Sequence, residues 1–105
     1  MDFPDDADGD ALRRVAERSD MSKPMDIDFA VVVPSKTSGE EVQRLAAQRG
    51  FRPTLYFDET DQRWTCYCAK RMVATYEAIL AAQKELDELN AAFGGCSDGW
   101  GTSGN

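Results

Sequence analysis

Cys66 and Cys68 stand one residue apart, a spacing that raises metal or redox chemistry. In an extended strand their side chains share a face, with Cα atoms about 7 Å apart, too far for an unstrained disulfide between them. Two thiolates also fall short of a closed zinc site, and Cys96 is the only other cysteine. Packing as small apolar side chains is therefore the expectation for the pair. The chain contains no histidine, which removes the usual general base near neutral pH and the commonest nitrogen ligand. No pair of carboxylates or lysines is set apart by apolar neighbours. The residues give no reason to expect catalysis, a metal or a cofactor.

The other local patterns weigh the same way. Asp6-Ala7-Asp8-Gly9-Asp10 resembles a calcium loop only faintly, because the acidic spacing and the closing Glu are missing. Helix capping within a solvated leader is the simpler reading. The glycines near the carboxy end form neither G-x-G-x-x-G nor a P-loop, and no helix follows to receive a phosphate. RNA recognition on a sheet needs aromatic residues ringed by bases, and the strand around Trp64 and Tyr67 lacks that pattern. Asp98-Gly99-Trp100-Gly101-Thr102 leaves two readings. Trp100 is a core plug whose flanking glycines permit a tight path, which the physics of burying an aromatic favours, or an interface anchor, where Trp is enriched.

Charge is unevenly spread over the 105 residues. The net charge of −7 divides as −5 over residues 1–34, +2 over 35–71 and −4 over 72–105. Asp2, Asp5, Asp6, Asp8 and Asp10 crowd the amino end with no base among them. Such a surface repels nucleic acid and favours basic partners, although a solvated run also serves solubility. The acidic start has no apolar h-region, and the longest aliphatic run, 29–33, is too short to span a bilayer. Three cysteines, an odd number, fit reduced thiols. A soluble cytoplasmic chain is the expectation.

These residues must be positioned by one small domain over 1–105. An acidic leader over 1–9 precedes a short helix over 9–18, capped by Asp8, with Leu12, Val15 and Ala16 as its apolar stripe. Residues 26–33 alternate Ile27, Phe29, Val31 and Val33 on one face and carry Ala30 and Val32 on the other, which predicts a central strand. Ser38 and Glu41 predict a capping box for a helix over 39–49, with Val42, Leu45 and Ala46 inward and Gly50 as its stop. Strands over 51–57 and 63–70 flank the polar loop Asp58-Glu59-Thr60-Asp61. A long helix over 73–92 presents Val73, Tyr76, Ile79, Leu80, Leu86, Leu89 and Phe93, and 96–102 supplies a last short strand. After the first helix the order is β-α-β-β-α-β. An α+β ferredoxin-like sandwich follows, with a four-stranded antiparallel sheet and two helices on one face over a core of 26–102.

Such a sandwich leaves one sheet face open. Ala30, Val32, Thr54, Tyr56, Thr65 and Tyr67 are the residues expected there. The amino-terminal helix, a second copy forming a homodimer, or another protein would cover them.

Asp98-Gly99-Trp100-Gly101-Thr102, together with Asp26-Ile27-Asp28-Phe29 and Trp64-Thr65-Cys66-Tyr67-Cys68, resembles the shorter bacterial members of the RraB family from about Phe3 to Asn105. The resemblance implies a non-enzymatic ferredoxin-like domain. It also implies binding to ribonuclease E outside the catalytic part, modulating and inhibiting RNA degradation. An acidic protein meeting a basic disordered segment is physically consistent with that role. The expected contact residues divide between the leader (Asp5, Asp6) and the region of Asp98, Gly99, Trp100 and Gly101, with Tyr67 facing a partner. Two other functions stand beside it: a small-ligand module sharing the architecture, and an enzyme using Cys66, Cys68 or Cys96.

Overall fold

The computed structural model describes residues 3–105, so Met1 and Asp2 of the leader lie outside the described residues. Helix α1 spans Ala7–Ala16, strand β1 Met25–Val33, helix α2 Lys36–Gln48, strand β2 Arg52–Asp58 and strand β3 Arg63–Met72. Helix α3 spans Tyr76–Asn90, runs into a 3₁₀ turn at Ala91–Phe93, and is followed by strand β4, Cys96–Gly101.

The strands form one antiparallel sheet in the order β2-β3-β1-β4. With the β-α-β-β-α-β connections, this is the ferredoxin-like order expected above. β1 sits centrally, paired with β3 on one side and β4 on the other. Met25, Ile27, Phe29, Val31 and Val33 are all buried on the inner face, and Asp26 and Asp28 stand exposed on the other. Its register with β3 is unbroken from Met25 opposite Met72 to Val33 opposite Trp64. The inner face meets Val42 and Ala46 of α2 and Ile79, Ala82, Leu86 and Leu89 of α3 in one continuous apolar cluster. Phe29 is 1% exposed and meets Phe51 edge-on at 6.2 Å; truncating such a side chain to alanine costs about 3–5 kcal/mol.

The helix starts differ from those read off the sequence. Asp6, not Asp8, caps α1: its backbone is extended and its Oδ1 accepts the Gly9 N–H at 2.7 Å. Gly9 fits there because a Cβ would collide with the Pro4 carbonyl. α2 begins three residues early, capped by Ser35, whose Oγ accepts the Ser38 N–H at 3.1 Å. The chain turns from Pro34 straight into the helix, so Ser38 and Glu41 lie inside it and form no capping box. Gly39 then lets α2 settle on the sheet, where a Cβ would press on Leu55 and Val33. β3 runs on to Met72, which delays α3 to a cap at Thr75. Val73 is therefore not helical and is exposed, and Leu80 turns outward because the buried stripe is Ile79, Ala82, Leu86 and Leu89.

α1 does not cover the open sheet face. It lies in the helical layer beside α3, with Leu12 and Val15 in the common core. Tyr76 Oη donates to Asp6, and Gln83 Nε2 to Asp8 Oδ2 at 3.3 Å, fixing it there.

Candidate functional site

The uncovered face carries, across the strands, Thr54 and Tyr67 beside Ala30, and Tyr56 and Thr65 beside Val32. Tyr56 and Tyr67 are the exposed aromatics, at 56% and 41%. The six residues expected on this face are on it.

At its β4 end the face is shaped by an irregularity. Phe29 pairs with Trp100 and Val31 with Ser97, so Asp98 and Gly99 together oppose Ala30 alone. This is a β-bulge, and Gly99 supplies the left-handed backbone (φ +89°) that such an insertion accepts most easily from glycine. The bulge divides the Asp98–Thr102 run between two sides of the sheet. Trp100 goes inward: it is half-buried against the core and its Nε1 donates to Asp8 Oδ1 at 2.8 Å. The tryptophan is a plug that also fastens α1 to β4. Thr102 closes the run by donating from Oγ1 to the Asp26 carbonyl at 2.6 Å.

Asp98 and Gly101 go outward. Asp98 receives Arg63, which reaches over β1 from β3 at 3.2 Å. Gly101 stands directly opposite Asp28. Asp28, Ala30, Tyr67, Asp98, Gly99, Trp100 and Gly101 line a shallow groove of about 340 Å³. Five of the expected contact residues, Tyr67, Asp98, Gly99, Trp100 and Gly101, thus come together with Asp28 and Ala30. Asp28 is not among the contact residues expected from the sequence, although its place between the inward Ile27 and Phe29 puts its carboxylate on the open face by simple alternation.

The leader residues lie apart, in the helical layer, engaged in local structure. Asp5 pairs with Arg13 at 3.2 Å, and Asp10 with the same guanidinium. The Tyr76 hydroxyl, and then the Gly9 N–H, hold the Asp6 carboxyl below its ordinary value of 3.8. Asp5 and Asp6 therefore do not share a surface patch with Tyr67.

Cys66 and Cys68 are fully buried on the inner face with sulfurs 3.7 Å apart. Contact with Cys66, and then burial, push the Cys68 thiol far above the ordinary range. Cys96, paired with Val32, is exposed on the opposite face and does not join them. Among the described residues no group of three or more Cys, Asp or Glu is placed to hold a metal ion, and no helix is long and apolar enough to cross a membrane.

No curated protein matches the chain. The family described as Regulator of ribonuclease activity B matches residues 5–102, which takes in α1, the whole sheet and the Asp98–Thr102 run. The chain belongs to that family, RraB.

Proposed function

We propose that this protein is a non-enzymatic regulator that binds ribonuclease E outside its catalytic part and inhibits RNA degradation. Membership of a family of ribonuclease regulators, over 98 residues from 5 to 102, is the observation that carries the reading. Three physical features support it. The chain is acidic, at −7, which speeds encounter with basic segments. Its sheet presents an uncovered face with two exposed tyrosines, a residue type enriched at interfaces. Its buried thiols pack as core.

The test is a calorimetric titration of the full chain with the noncatalytic region of ribonuclease E, paired with an RNA degradation assay. Binding that weakens with salt, together with slower degradation, is expected. Absence of binding at low salt overturns ribonuclease E as the partner.

A further inference from the structure

Each arginine on the open sheet face already has a carboxylate. Arg52 pairs with Asp26 at 2.9 Å, Arg71 with the same residue at 3.7 Å, and Arg63 with Asp98 at 3.2 Å. Asp28 is the reverse case: among the described residues no ion pair or hydrogen bond engages its side chain. Its direct neighbours on that face are Ala69 and Gly101, so nothing bulky covers it. Tyr67, two residues along β3 from Ala69, bounds the same groove and is 41% exposed.

Gly101 points further. Its φ is not in the left-handed region, and a Cβ built on it meets nothing within 4 Å. Neither backbone conformation nor crowding requires a glycine at this last position of β4. What the missing side chain does is leave space above the Asp28 carboxylate.

We propose that this groove seats a cationic side chain, arginine or lysine, from a basic segment of a partner protein. The ammonium or guanidinium group sits against the Asp28 carboxylate and over the Tyr67 ring, combining an ion pair with a cation–π contact. Asp98 adds negative charge at the rim while holding Arg63 aside. A phosphate is disfavoured, because the arginines nearby are committed to carboxylates and Asp28 would repel it. This inference rests on the reading of the chain as a protein-binding regulator and assigns that binding to a place.

The test is an amide-resolved NMR titration of the full chain with a disordered arginine–serine peptide and with its citrulline counterpart. Expected are shifts centred on Asp28, Ala30, Tyr67 and Gly101 with the arginine peptide and none with the neutral one. Asp28→Asn should weaken binding roughly threefold to tenfold. Gly101→Val should block it while unfolding at the same temperature or higher; Asp28→Asn alone decides should the valine variant not fold. Shifts confined to Asp5, Asp6 and Asp10, or wild-type affinity in Asp28→Asn, overturn the groove. So does a dimer of the wild type that Gly101→Val dissociates, since the occupant is then a second copy. Undiminished capture of ribonuclease E by Asp28→Asn/Gly101→Val also overturns the groove but leaves the ribonuclease reading standing. A wild type that takes the arginine peptide in the groove yet captures no ribonuclease E does the opposite.

Discussion

Trp100 donates its indole N–H to Asp8 at 2.8 Å, joining residues 92 positions apart. The bond ties the last strand to the first helix, and Gln83 of α3 donates to the other oxygen of the same carboxylate. Trp100→Phe keeps an aromatic plug and removes the donor. We expect a loss of about 1–2 kcal/mol in urea unfolding, with amide exchange in α1 rising more than in β1 or β3. Equal loosening everywhere would show that the bond does not single out α1.

The Asp6–Tyr76 contact makes the same helix sensitive to pH at both extremes. The carboxyl of Asp6 is lowered from 3.8, so its stabilising contribution is complete above that value and disappears as pH falls through the folded one. The Tyr76 hydroxyl is raised from 10.0, chiefly by the same bond, so its contribution is complete below 10.0 and disappears as pH climbs through the folded value. Protection of the α1 amides should fall in both limbs. In Tyr76→Phe the alkaline limb should vanish. The acid limb should shrink without vanishing, because Gly9 still donates to Asp6. A retained alkaline limb in that variant assigns the effect elsewhere.

The three thiols should separate cleanly by accessibility. Cys96 is exposed, and Cys66 and Cys68 are fully buried. A thiol-reactive dye under native conditions should titrate one cysteine, and all three after denaturation. Cys68→Ser places a hydroxyl among apolar groups and should cost about 1–3 kcal/mol, whereas Cys96→Ser should stay within about 0.5 kcal/mol of wild type. Fast native labelling of more than one thiol contradicts this placement.

Ser35 and Ser38 offer a direct comparison, since only Ser35 caps α2 through its hydroxyl. Ser35→Ala should destabilise the protein by about 1 kcal/mol. Ser38→Ala, which removes just a 3.2 Å contact between the two hydroxyls, should cost less than half of that. Thermal unfolding of both variants checks the order, and a larger loss at Ser38 would restore the capping box.

That pair also illustrates what the chain discloses unaided. Strands were legible where alternation was strong: Ile27, Phe29, Val31 and Val33 could face only one way, and the rest of the sheet follows from burying them. Cap positions were not, because Ser35 and Ser38, or Asp6 and Asp8, carry the same side chains and differ in backbone path alone. Val73 fits a helical stripe by spacing but precedes the Thr75 cap, and Leu80, four residues from Tyr76, fits one too, whereas the buried face is centred on Ile79, Ala82, Leu86 and Leu89. The inward side of Trp100 follows from the physics of burying a large aromatic, but its tie to Asp8 is invisible in the sequence, for nothing local marks two groups so distant in the chain as partners. Asp28 fell between the two kinds of case. Alternation placed its carboxylate on the open face, but the lack of a cation beside it depends on where Arg52, Arg63 and Arg71 direct theirs.

The central position of β1 has a consequence for synthesis. This strand emerges early, but its two neighbours in the sheet, β3 and β4, end at Met72 and Gly101. Until they leave the ribosome, an apolar strand with free backbone groups on both sides has no native mate, a condition that invites misassociation of nascent chains. Pairings between segments so far apart in sequence also close slowly. β4 is the last of these strands to emerge, and its docking sets Trp100 against Asp8, a tie to α1 that joins those already offered by Tyr76 and Gln83 of α3.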